Sequence, residues 1–263
     1  MKTVLDFARA RQQGRSIIML TAYDYWSARL LNDSAVDCLL VGDSSAMVMH
    51  GYPDTVAATT ELITLHTRAV RLGAPDRFLV ADMPFLTFRG SLDRALDCVL
   101  PLMQAGAQAV KLEGAAGHLE LVRHLAQSGV PVMGHLGLTP QSVHAFGGFR
   151  VQARDEAAAE QLLQDALALQ HAGCFALVLE CVPAQVAARV TQALDIPTIG
   201  IGAGPHVSGQ VLVLQDMLGA QPQFQPRFVR RYADLAGSIR QAVQSFADDV
   251  RSGAFPAPEE CYA

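Results

Sequence analysis

Short apolar runs recur along the chain, and most of them turn polar at their C-terminal ends. They are SIIMLTAYD (16–24), VDCLLVGD (36–43), RFLVADMP (77–84), AQAVKLEG (107–114), VPVMGHLG (130–137), CFALVLEC (174–181), IPTIGIGAG (196–204) and QVLVLQD (210–216). Runs this short and this continuously apolar read as strands buried on both faces, the signature of a parallel sheet covered by helices. Between them lie segments of helical period, such as ELITLHTRAVRLGA, SLDRALDCVLPLMQAGA and DEAAAEQLLQDALALQHAGC. Several reach a glycine where a helix would stop. The N-terminal MKTVLDFARARQQGRS reads as an amphipathic helix. After the last run come a proline-broken loop, one long helix and a loose tail. Eight β–α repeats predict an α/β fold, a (β/α)8 barrel, with a doubly wound open sheet as the alternative. No linker divides the chain, so residues 1–263 are expected to form a single barrel domain with an N-terminal helix and a C-terminal helical extension.

The polar residues fall at one place in the repeat. Tyr23 and Asp24 end the first run, and Asp43, Ser44 and Ser45 follow the second. Asp82 ends the third, Lys111 and Glu113 the fourth, His135 the fifth and Glu180 the sixth. In a barrel these positions share the C-terminal rim, where active sites lie. Lys111 and Glu113 are two apart on a strand, so they point to the same face. Asp43, Asp82 and Glu113 outnumber the one lysine. Converging acids must take up protons, pair with cations or bind metal. Oxygen donors without a cysteine or histidine pair favour a hard cation, above all Mg2+. Glu180 ends a strongly apolar strand, surroundings that favour a proton-accepting role.

Composition narrows the field. Half of the 263 residues are hydrophobic (51%), 17% are charged and the net charge is −5. Without basic blocks, nucleic acid is not an expected partner. No apolar run reaches the roughly 18 residues of a membrane span, and the N-terminus lacks the apolar core of a signal peptide. Cys38, Cys98, Cys174, Cys181 and Cys261 are scattered. That argues against a disulfide framework or zinc site and fits a reducing cytoplasm. Cys181 is expected to be a packed thiol. The stretch GIGAGPHVSG has Pro205 where a dinucleotide fingerprint needs its last glycine. It is expected to shape the rim instead. The segment GFRVQARDE (148–156), behind the hinge Gly147–Gly148, is expected to cover the site.

The strings TAYDY, LLVGDS, VADMPF, VKLEG, GHLGLTPQS, LVLECVP and IGIGAG, in this order, resemble the ketopantoate hydroxymethyltransferase family, and the similarity runs from about residue 16 to about residue 250. The resemblance implies a (β/α)8 TIM barrel of the phosphoenolpyruvate mutase/isocitrate lyase type. It implies an enzyme of pantothenate and coenzyme A biosynthesis that assembles as a homo-oligomer, a decamer. By motif, Asp43, Asp82 and Glu113 would hold one Mg2+ per subunit. Asp43, Ser44, Asp82, Lys111 and His135 would meet the keto acid, 3-methyl-2-oxobutanoate. Glu180 would remove its C3 proton, and the resulting enolate would attack the one-carbon unit of 5,10-methylenetetrahydrofolate. Two departures stand out. Ser45-Ala46 replaces the family's usual Leu-Gly, and GAQPQFQPRF replaces a glycine-rich loop with a histidine. A lyase or mutase of the same barrel type is the nearest alternative, but the K-K-C-G-H signature of such enzymes is absent. A barrel that binds without catalysis would not be expected to keep all of these polar residues.

Overall fold

The computed structural model describes residues 2–262. It divides into two compact units, residues 1–212 and 213–263. In the first, eight parallel strands close a barrel in sequential order. They are β1 (Ile17–Thr21), β2 (Cys38–Val41), β3 (Phe78–Asp82), β4 (Ala109–Glu113), β5 (Val132–Gly137), β6 (Cys174–Glu180), β7 (Thr198–Ile201) and β8 (Gly209–Leu212). The ring closes where Ile17–Leu20 of β1 pair with Gly209–Leu212 of β8. All eight expected strands are present, each shorter than its apolar run. The last run was read as a strand through 216. The strand ends at Leu212, and a short helix, Leu214–Met217, follows.

The helices begin where the sequence offers an oxygen to their first N–H groups. Thr59, Ser91 and Asp155 cap the helices Thr60–Gly73, Leu92–Gln104 and Glu156–Ala172. Asp24 does the same for Tyr25–Asn32, accepting from the Ser27 N–H at 2.8 Å. This rim acid is therefore a structural cap rather than a site residue. The seventh repeat departs from the expected pattern, because no helix separates β7 from β8. Residues 202–208 run back directly, with Gly202 and Gly204 at positive φ. A Cβ on Gly204 would stand 2.4 Å from the Ala184 Cβ, so this glycine lets the turn lie on the helix Ala184–Ala193. A dinucleotide site would need a helix opening here, and none does.

Strand alternation sorts the barrel interior into layers. Ile17, Met19, Cys38, Leu40, Phe78, Val80, Ala109, Met133, Ala176, Val178, Ile199 and Val211 form the lower core with Phe7 and Ala10. Two residues above Val80, Ala109, Met133 and Val178, on the same faces, stand Asp82, Lys111, His135 and Glu180. The helix Val4–Gln12 supplies the floor. Phe7 is fully buried, with ring centroids 5.1 Å from Phe78 and 5.2 Å from Phe175, both edge-on. The bottom of the barrel is thus packed and apolar, and its top is polar.

The second unit holds the helix Leu235–Ser252, opened by Asp234 and closed by Gly253 at φ +74°. It buries none of its residues. Among the described residues no helix is long and apolar enough to cross a membrane. The five cysteines are free, and only Cys261 is exposed.

Phe7 is the central plug, and its removal should leave a cavity that the rigid barrel cannot close. Phe7→Ala is expected to cost about 3–5 kcal/mol in chemical denaturation. A loss below about 1 kcal/mol would mean that the helix does not stabilise the barrel.

Candidate active site

The rim residues are brought together by register. Asp82 pairs with Lys111 across β3–β4, and Glu113 with His135 across β4–β5. The four side chains are buried, 2–4% exposed. Lys111 Nζ lies 3.0 Å from Asp82 Oδ1 and 4.0 Å from Glu113 Oε1. It is also 3.1 Å from His135 Nδ1. The far side of the imidazole reaches Glu180, with Nε2 3.2 Å from Oε2. The neighbour of Glu180 is thus His135. One chain of contacts therefore runs Asp82–Lys111–His135–Glu180.

Asp43 stands just past β2, where its backbone N–H donates to Asp82 Oδ2 at 3.0 Å. Gly42 permits this approach, since a Cβ there would sit 2.8 Å from Ser44 Oγ and 3.6 Å from Asp82 Oδ2. Ser44 Oγ lies 2.8 Å from Tyr23 Oη, and the Tyr23 carbonyl lies 2.5 Å from His66 Nδ1. Ser45, one of the departures from the family pattern, is fully buried with its hydroxyl unpartnered.

Burial sets the electrostatics. It raises the pKa of Asp43 well above the ordinary carboxylate value, and neighbouring Asp82 and Glu113 push it further. Burial raises Asp82 too, against the pull of Lys111. Lys111 loses hydration, but Asp82, Glu113 and Asp43 outweigh that loss and its pKa rises, so it stays an ammonium. Burial and Lys111 oppose a charge on His135; Glu113 and Glu180 overcome both and lift it to about 9. Below that pH both ring nitrogens carry protons, Nδ1 beside Glu113 Oε1 at 3.4 Å and Nε2 beside Glu180 Oε2, and only a neutral ring could accept from Lys111 at Nδ1.

Among the described residues no three His, Cys, Asp or Glu side chains stand close enough to hold a metal ion. Lys111 lies between Asp82 and Glu113 instead. The donors still suit a hard cation. They are all oxygens, and Glu113 Oε1 is buried without a hydrogen bond.

Two contributors escaped the sequence reading. Gln141, in the loop after β5, donates its backbone N–H to Glu113 Oε2 at 3.0 Å and its side-chain amide to Asp43 Oδ2 at 2.8 Å. The only signal was its place in GLTPQS, directly downstream of His135. Arg89 donates to the carbonyls of Glu113, at 3.0 Å, and Ala116. It ties the loop after β3 to the loop after β4. The stretch expected as a cover sits beside Glu180, because the Gln152 N–H donates to the Cys181 carbonyl at 2.9 Å. Cys181 itself is buried, with its thiol pushed up to about 12 by burial and by Glu180.

The family model described as ketopantoate hydroxymethyltransferase matches residues 1–258. The chain belongs to the ketopantoate hydroxymethyltransferase family. A relative from Bdellovibrio bacteriovorus, named 3-methyl-2-oxobutanoate hydroxymethyltransferase, is 53% identical over 263 residues, covering all of both chains. A relative of the same name from Francisella tularensis is 48% identical over 262 residues, covering 100% of this chain and 99% of its own. Membership makes the protein an enzyme, a transferase. Among solved structures, phosphonopyruvate hydrolase in complex with oxalate and Mg2+ superposes with a TM-score of 0.63 at 14% identity, covering 99% of this chain and 93% of that one. A 2,3-dimethylmalate lyase of the phosphoenolpyruvate mutase/isocitrate lyase superfamily gives 0.61 at 16% identity, covering 100% and 92%. At such identities the likeness is one of fold, and the fold is the expected one.

The raised pKa of His135 has a consequence for the metal-free protein. A folded-state pKa of about 9 against an ordinary 6.5 stabilises the fold fully below pH 6.5, and that contribution is lost as the pH rises through 9. Urea midpoints of the metal-free protein should fall across this window, and His135→Gln should flatten the fall. An unchanged slope in the variant would assign the dependence to another group.

Proposed function

We propose that this enzyme transfers a hydroxymethyl group from 5,10-methylenetetrahydrofolate to 3-methyl-2-oxobutanoate, giving ketopantoate and tetrahydrofolate. The observation that carries the reading is the buried cluster of Asp43, Asp82, Lys111, Glu113 and His135 on one barrel rim, in a chain the family matches over residues 1–258.

Asp43, Asp82 and Glu113 would hold Mg2+. Bound there, the ion would supply Lewis acidity that stabilises negative charge on the keto acid's oxygens. Lys111, kept an ammonium by its acidic neighbours, adds a second fixed positive charge for the substrate's carboxylate and for charge gathering on the 2-oxo group. Ser44, its hydroxyl 2.8 Å from Tyr23 Oη, is a further contact for the carboxylate. Glu180 takes the C3 proton. Its side chain is 17% exposed, against 2% for Asp82 and 3% for Glu113, so it is the carboxylate a substrate can meet. His135 Nε2 holds the base from behind. The deprotonated carbon then forms a bond to the one-carbon unit of the folate, and one water supplies the hydroxyl of the product; its other proton and the one taken by Glu180 go to the two folate nitrogens as their bonds to that carbon break. Residues 148–156, fastened beside Glu180 through Gln152, would shield that carbon from water.

Mass detection of ketopantoate from the keto acid, methylenetetrahydrofolate and Mg2+ tests the reaction. Product should vanish on thorough chelation and return with Mg2+. Turnover that survives chelation would remove the metal from the reading.

Glu180→Gln tests the base separately. Exchange of the C3 hydrogen with deuterated water, with Mg2+ and without folate, should fall about 10²–10⁴-fold. Keto acid and metal should still bind. A folded, metal-binding variant exchanging at the wild-type rate would clear Glu180 of the role.

A further inference from the structure

Three buried carboxylates stand on the inner rim, and an N–H group holds each of them at one oxygen. Asp82 Oδ2 accepts from the Asp43 backbone N–H at 3.0 Å. Glu113 Oε2 accepts from the Gln141 backbone N–H at 3.0 Å, and Asp43 Oδ2 from the Gln141 side-chain amide at 2.8 Å. Two of the three holds thus come from one residue, itself only 4% exposed.

The orientation of that amide follows from its neighbours. Its nitrogen faces two oxygens, Asp43 Oδ2 and, at 2.9 Å, the Met83 carbonyl. The reversed amide would set its oxygen against both. Gln141 Oε1 is therefore turned away from them, buried and without a partner. Glu113 Oε1 is also buried without a hydrogen bond, with His135 Nδ1 3.4 Å and Lys111 Nζ 4.0 Å away. Buried acceptors left unpaired are costly, and native structures rarely keep two together without a partner such as water or an ion.

We propose that Gln141 is the positioning residue of the cation site. It fixes Asp43 and Glu113 at one oxygen each, leaves their other oxygens for the ion, and offers its own Oε1 to a water on that ion. The inference rests on the cation reading given above. Gln141 is not a ligand; it acts through Asp43 and Glu113, as residues behind metal ligands do when they set ligand direction.

Mn2+ binding to the full-length protein, read without substrate from the electron paramagnetic resonance of free Mn2+, tests this without reference to turnover. Gln141→Leu keeps the backbone N–H and removes only the amide. Gln141→Asn keeps an amide one carbon too short to reach both Asp43 and Met83, and it decides the matter should the leucine variant not fold. The dissociation constant is expected to rise about 10–100-fold in each. A merely structural role would lower the thermal midpoint and leave the Mn2+ affinity of the folded protein unchanged. Affinity within twofold of wild type in the folded variants overturns the proposal. Asp43→Asn is measured in parallel. If it abolishes binding while the Gln141 variants keep it, the proposal alone falls. If Asp43→Asn also leaves binding intact, the cation reading falls and the proposal with it.

Discussion

The site depends on one constraint: three carboxylates share a buried barrel rim with one lysine and one histidine. Ionised and unpaired, they would repel one another in surroundings that cannot screen them. The protein meets this in three ways at once. Burial and mutual repulsion favour protons on Asp43 and Asp82. Lys111 is held as an ammonium among the acids. N–H donors satisfy one oxygen of each carboxylate. None of these measures removes the excess of oxygen donors, and Glu113 Oε1 keeps no hydrogen bond. A site with spare oxygens and movable protons is poised to exchange the protons for a cation, which couples metal affinity to pH.

The barrel makes such a site affordable by separating two tasks along each strand. Lower inward positions carry Phe78, Val80, Ala109, Met133, Ala176 and Val178, packed around Phe7. The next inward positions carry Asp82, Lys111, His135 and Glu180. Hydrophobic burial acts on the bottom layers, so the rim can hold groups that would destabilise a uniform core. The helix Val4–Gln12 belongs to the same division, because closing the floor confines access to the rim.

Much of this was legible in the sequence because both periods are short. Short apolar runs, most of them turning polar at their ends, marked the eight strands, and period two placed Lys111 and Glu113 on one face. What stayed hidden came from loops. The missing seventh helix left no mark, since a run such as GIGAG followed by Pro205 reads equally as a turn before a helix or before a strand. Asp24 looked like the other rim acids, and only its bond to the Ser27 N–H shows it to be a cap. Gln141 follows a proline, outside any periodic stretch, and its role depends on where a folded loop returns over β2 and β4.

The adjacency of Lys111 and Glu113 shows why side-by-side opposite charges need not be an ion pair. Their closest approach is 4.0 Å, while Lys111 lies 3.0 Å from Asp82 on the neighbouring strand and Glu113 is held by Gln141 from the loop above. Each charge has a better partner elsewhere. Had they paired with each other, Glu113 would keep no free oxygen and Lys111 would be drawn away from Asp82. Register prevents this by setting Asp82 beside Lys111 and His135 beside Glu113. The lysine is thereby tied to one acid and the imidazole, and Glu113 keeps an oxygen in reserve.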